Sequence, residues 1–141
     1  MDVKCQCGHI AFQTPTATPT TVYHCHCTEC RAQSASAFGT SAIFPSKGIL
    51  PLSDELQSRL KVWTRPGSNG VVIDCYFCER CGCRVMHVDR HEDGRIDETV
   101  SIKGGLVRGM SHEGAAHIWT KSAVVTIPDG VERWPGEPPD E

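Results

Sequence analysis

Three short runs hold all nine cysteines of this 141-residue chain, and they constrain its fold more than any other feature. Cys5-Gln6-Cys7-Gly8 opens the chain. Cys25-His26-Cys27-Thr28-Glu29-Cys30 follows, and Cys75 to Cys83 forms the third run, with Cys78 and Cys81 spaced C-x-x-C. Pairs at these spacings bring two thiolates to one ion from a single tight turn. A zinc ion takes four such ligands in a tetrahedron, at about 2.3 Å from each sulfur.

Two of the runs share a further device. Gly8 follows Cys7 directly, and Gly82 follows Cys81. Glycine accepts a positive φ there, so the backbone can wrap an ion and turn N–H groups toward the sulfurs. Cys5, Cys7, Cys78 and Cys81 therefore read as two knuckles facing each other across one zinc. Four thiolates leave no free position, which makes this site structural.

Cys25, Cys27 and Cys30 supply only three thiolates. Three protein ligands with a vacancy are the pattern of a catalytic zinc. The competing reading is a second closed site completed by Cys75, Cys83, His24 or His26. His26 is expected to turn away from the metal, and Cys75 to be a buried free thiol. His87 and His117 are expected in ordinary hydrogen-bonded roles, Trp63 and Trp119 in the core or a pocket wall. Glu29 reads as a solvated carboxylate, with a proton acceptor beside the second ion as the sharper alternative.

Composition narrows the class. At this length the chain is read as one domain, 1–141, with a modest core. Its apolar share of 39 % leaves part of the stabilisation to metal. A net charge of −3 gives no basic surface for nucleic acid. No apolar run approaches the ~20 residues of a membrane span. No leader-like segment precedes Cys5, so the expected compartment is the reducing cytoplasm, where thiols stay free or bind metal.

The rest of the chain is expected to be mainly β. Strand-like stretches fall at 9–12, 21–24, 40–44, 60–64, 71–77, 84–88, 99–103 and 116–120. A turn at 66–70 joins two of them and delivers Cys78 and Cys81. Residues 28–33 open like a helical turn with Thr28 as its cap, residues 47–58 read as loop, and 129–141 read as a loosely attached tail.

Taken together, Cys5-Gln6-Cys7-Gly8, His24-Cys25-His26-Cys27-Thr28-Glu29-Cys30-Arg31 and Phe77-Cys78-Glu79-Arg80-Cys81-Gly82, with His117-Ile118-Trp119 and Pro128-Asp129-Gly130 later on, resemble the glutathione-dependent formaldehyde-activating enzyme family. Two positions depart from the family pattern: Cys83 stands where a small polar residue is usual, and Ala35 where glycine is common. The resemblance implies a β-tent of small stacked antiparallel sheets pinned by zinc, with few short helical turns. It implies two zinc ions per chain, matched to Cys5/Cys7/Cys78/Cys81 and to Cys25/Cys27/Cys30. It also implies a carbon–sulfur lyase that joins glutathione and formaldehyde, or cleaves their adduct. The partner is then a small thiol or thiol adduct, with Arg31, Lys61 or Lys103 available for its carboxylates. The alternative is a non-catalytic zinc-stabilised binding module.

Overall fold

The computed structural model describes residues 1–68 and 70–139. Asn69, within the expected turn, and residues 140–141 of the expected tail lie outside the described residues. In chain order the elements are β1 (Asp2–Lys4), β2 (Ala11–Gln13), β3 (Thr21–Cys25), α1 (Thr28–Ser34), β4 (Gly39–Pro45) and α2 (Asp54–Arg59). Then come β5 (Leu60–Pro66), β6 (Val72–Cys78), β7 (Arg84–Arg90), β8 (Thr99–Lys103) and β9 (Ala116–Ile118). The mainly β expectation holds.

β1 and β2 form a hairpin of their own, and the other strands share one sheet in the order β5-β6-β7-β8-β4-β3-β9. The strands thus form two sheets, one of two strands and one of seven. β4 and β8 pair on both sides, which leaves no break at which the sheet could divide. Every junction in it is antiparallel except the last, where β9 runs parallel to β3.

Period-two alternation gives this sheet two unlike faces. Ala42 and Phe44 of β4, Met86 and Val88 of β7, and Val100 and Ile102 of β8 are all buried in the main core. Their register, Ala42 opposite Ile102 and Ile102 opposite Met86, stacks them side by side. The core is completed by Val3 and Ile10 from the N-terminal segment and Ile49 from the β4–α2 connection. Each large apolar side chain buried this way contributes roughly 1.5–3 kcal/mol. The residues between them, Ser41, His87, Ser101 and Lys103, line a cleft on the opposite face.

Two segments differ from the sequence expectation. Part of the expected 47–58 loop is helix α2, because the Ser53 hydroxyl accepts the Leu56 N–H at 3.2 Å and Asp54 and Glu55 occupy its first turn. The described part of the expected tail is attached. Glu132 and Trp134 exchange backbone hydrogen bonds with His117 and Thr120, and the Trp119 N–H donates to the Gly136 carbonyl. The open edge of β9 supplies those partners, since β3 occupies its other side.

Candidate metal centres

The hairpin of β5 and β6 carries Cys78 to the end of its strand, beside the N-terminal segment. There the sulfurs of Cys5, Cys7, Cys78 and Cys81 all lie within 4.8 Å of one another. Cys5 Sγ is 3.7 Å from Cys7 Sγ, and Cys7 Sγ is 3.8 Å from Cys78 Sγ. A tetrahedron with zinc–sulfur bonds of about 2.3 Å has edges of about 3.8 Å. A disulfide would need about 2.05 Å, and all nine cysteines are free. The donor set and its spacing therefore fit a four-thiolate zinc.

The backbone at this centre takes the form the glycines predicted. Gly8 has φ 78° and Gly82 φ 71°. Each closes a tight turn, with Gly8 N–H donating to the Cys5 carbonyl and Gly82 N–H to the Cys78 carbonyl. The Ile10 N–H donates to Cys5 Sγ at 3.3 Å. Burial pushes the Cys78 thiol up to about 11. Burial also opposes ionisation of Cys81, but the backbone N–H groups of Cys83 and Cys7 bring it down to about 6. Sulfurs this crowded cannot all ionise by themselves, and a divalent cation removes the conflict.

The second group is assembled within one turn of chain. Cys25 ends β3, and Cys27 and Cys30 flank the start of α1; their sulfurs also lie within 4.8 Å of one another. The cap of α1 is Cys27 and not Thr28: Cys27 Sγ accepts the Cys30 N–H at 3.3 Å. Sulfur takes this place because Cys27 is the last residue with extended φ and ψ, and Thr28 is already helical. Hydrogen bonds from the Cys25 and Cys30 thiols hold Cys27 far below the ordinary thiol range, whereas the same contacts push Cys25 up. Three sulfurs in this state again fit a cation.

Among the described residues, no histidine, carboxylate or further cysteine joins this second group. His26 Nε2 instead meets His117 Nδ1 at 2.8 Å, so that ring is turned away from the sulfurs as expected. His24 Nδ1 meets Thr40 Oγ1 at 3.0 Å, and its ring stacks on His112 and meets His117 edge-on. Burial, with His117 and His112 beside it, lowers His24 to about 4. Cys75 is fully buried on β6 and its thiol points to the Ile73 carbonyl. Cys83 lies beside the first group, where burial raises its thiol.

The second group opens into a cleft of about 1030 Å³. Cys25, Cys27 and Cys30 form part of its wall, with Trp119 and Glu137 on another side, joined by a 2.8 Å bond from Trp119 Nε1. Arg65 also faces the cleft, and its guanidinium lies 3.8 Å from the half-exposed carboxylate of Glu29. Glu29 is thus a solvated acid paired with an arginine. Trp63, by contrast, is half exposed on β5, under the guanidinium of Arg84. Sequence reasoning missed Arg65, His87 and the 137–139 segment as cleft residues, because nothing local marks them.

A model of glutathione-dependent formaldehyde-activating enzymes matches residues 1–122, a span that includes every cysteine of both groups. The chain belongs to that family. Each of the two sulfur groups could hold a zinc ion. No curated protein matches the chain. Among the described residues, no helix of this family member is long and apolar enough to cross a membrane.

Proposed function

We propose that this protein forms or cleaves the carbon–sulfur bond of a glutathione adduct of the S-hydroxymethylglutathione type. Its centre is a zinc held by Cys25, Cys27 and Cys30, and the Cys5/Cys7/Cys78/Cys81 zinc is structural. A single observation carries the reading: three converging sulfurs, with no fourth ligand atom beside them among the described residues, face a cleft of about 1030 Å³. That volume is at the upper end of ordinary small-molecule sites and suits a tripeptide. A zinc bound there supplies a Lewis-acidic position at which a thiol ionises at neutral pH.

The chain's own groups then orient the thiol. Of the three cations considered from sequence, Lys61 sits outside the cleft, 3.9 Å from Glu79, and Arg31 does not line it. Lys103 lines it but is nearly inaccessible, at 8 % exposure. Arg65 is the cation placed to receive a carboxylate, by exchanging Glu29 for the ligand. Trp119, held by Glu137, closes the side of the cleft. Nine cysteines without a disulfide, seven of them in the two sulfur groups, suit a reducing compartment such as the cytoplasm.

The test is spectroscopic. Protein carrying cobalt in both centres should change its visible absorption when glutathione is added. A spectrum indifferent to glutathione would reject this reading in favour of a binding module with two structural metals.

A further inference from the structure

Trp119 holds φ 57° and ψ 37°, a left-handed conformation that glycine adopts freely and a bulky side chain does not. Strain of this kind persists where the surroundings impose it, and it gathers at ligand sites. The C-terminal segment imposes it here. The Trp119 N–H donates to the Gly136 carbonyl at 3.0 Å, and the N–H and Oγ1 of Thr120 both donate to the Trp134 carbonyl at 3.0 Å.

The side chain is gripped as well. Indole Nε1 donates to Glu137 Oε1 at 2.8 Å, and Lys121 Nζ lies over the ring, 4.7 Å from its centre. Trp119 and Glu137 line the cleft, whereas Lys121 does not. Lys121 therefore covers the outer face of the indole, and the inner face is left to the cleft. That face stands at the second sulfur group. Ile118 pairs with Cys25 across β9 and β3, so the turn at Trp119 begins beside Cys25. Trp119 and Tyr23 both pack on the cluster of Cys25, Cys30 and Ile118, and both line the cleft. The sulfurs thus open into the cleft beside two aromatic side chains.

We infer that Trp119 is a specificity-determining residue of the three-sulfur site. Its indole is an apolar wall that receives the methylene and neutral amides of a peptide-bound cysteine and disfavours a thiol with a charge close to sulfur. The inference rests on the reading of Cys25, Cys27 and Cys30 as a thiol site. In glutathione the cysteine residue is bounded by two uncharged amides, and the carboxylates lie at the two ends of the tripeptide. Free cysteine carries its ammonium and its carboxylate on the carbon next to the methylene.

Charges so close to sulfur would lose water against the indole. The ammonium of Lys121 already lies on the outer face, which weakens the ring's pull on a second cation. A methylene and a polarisable sulfur, by contrast, sit well on an aromatic ring. Held through its N–H, its outer face and its backbone, the indole cannot swing aside to admit the wrong thiol. The backbone strain is the cost of holding a tryptophan where glycine would fit.

Thiol titrations of the cobalt-loaded protein test this, with glutathione, the neutral N-acetylcysteine amide, and 3-mercaptopropionate, which keeps cysteine's carboxylate without its chelating amine. Wild type should prefer the neutral amide to 3-mercaptopropionate by about 10-fold or more. In Trp119→Gly that ratio should collapse and glutathione should bind about 10-fold more weakly. The same thiols are compared in each variant, so their own acidities cancel. Glu137 is exposed, so its variants keep the fold. Glu137→Ala should weaken glutathione several-fold, and Glu137→Gln, whose amide oxygen still accepts the indole N–H, should restore it. In the zinc-loaded protein, glutathione should shift the tryptophan emission of wild type and not that of Trp119→Phe. A wild-type ratio in metal-loaded Trp119→Gly, unchanged binding in Glu137→Ala, or an undiminished shift in Trp119→Phe overturns the inference alone. If wild-type cobalt protein ignores every thiol, the thiol-site reading fails and the inference fails with it.

Discussion

Cys7 Sγ lies 3.8 Å from Cys78 Sγ, although 71 positions separate them in the chain. That contact ties the N-terminal segment to the end of β6, and the buried Cys5 and Cys78 bring the sulfurs into the main core. An ion there closes a long loop and adds its binding free energy to folding. Replacing Cys78 by Ser, or stripping metal with a strong chelator under reducing conditions, should lower the melting temperature by more than 10 °C. Calorimetry with metal analysis checks this, and wild-type protein should carry two zinc ions per chain.

Cys27→Ser should separate the two centres. Serine is a good helix cap, so its hydroxyl can accept the Cys30 N–H and keep α1 formed. One of three sulfurs is lost from the second group while the first is untouched. The expected protein keeps its fold and one equivalent of zinc but loses zinc-dependent turnover. Far-ultraviolet circular dichroism, metal content and an adduct-forming assay give the three readings; unchanged turnover would reject the proposed site.

Ala35 closes α1 with φ 48° and ψ 42°, a left-handed conformation in which its Cβ is strained. The family's usual glycine at this place has no such strain. Ala35→Gly should therefore stabilise the protein by about 0.5–1 kcal/mol after allowing for the greater freedom of the unfolded chain. Denaturant unfolding at fixed zinc concentration measures it.

His24 should titrate near pH 4 in the folded protein, because burial and the neighbouring His117 and His112 disfavour its charged form. An unfolded histidine titrates near 6.5. Between those values the unfolded chain binds a proton that the native ring refuses, so stability is complete above about pH 6.5 and declines as pH falls toward 4. With zinc in excess, unfolding free energies measured from pH 7 to 4.5 should show this decline, less steeply in His24→Asn.

Removing residues 132–141 should loosen β9 and open one side of the cleft, since Glu132, Trp134 and Gly136 hydrogen-bond to His117, Trp119 and Thr120. The expected truncated protein melts several degrees lower and binds glutathione more weakly, with its zinc content intact. Calorimetry and titration of the cobalt form distinguish this from a tail without contacts, which would change neither.

Much of this architecture was legible because it depends on spacing. Two cysteines one or two residues apart, followed by glycine, make the same turn in any surroundings, so both knuckles and the three-sulfur turn were readable in outline. The strand-like composition of β4, β7 and β8 was legible too, but which of their faces meets the core was not. Helix α2 was signalled by Ser53-Asp54-Glu55 and outweighed by nearby prolines. The parallel junction of β9 with β3, and the return of Trp134 alongside His117, have no local signature.

The amino-acid order alone determined which cysteines a single tight turn brings together, since short spacing leaves such a turn few ways to close. It also determined which strand residues share a face, through the two-residue period of extended chain. Only the tertiary structure decided what stands opposite the second sulfur group. Lys103, His87, Arg65 and Trp119 come from four separate places in the chain, and register and sheet order bring them to one cleft.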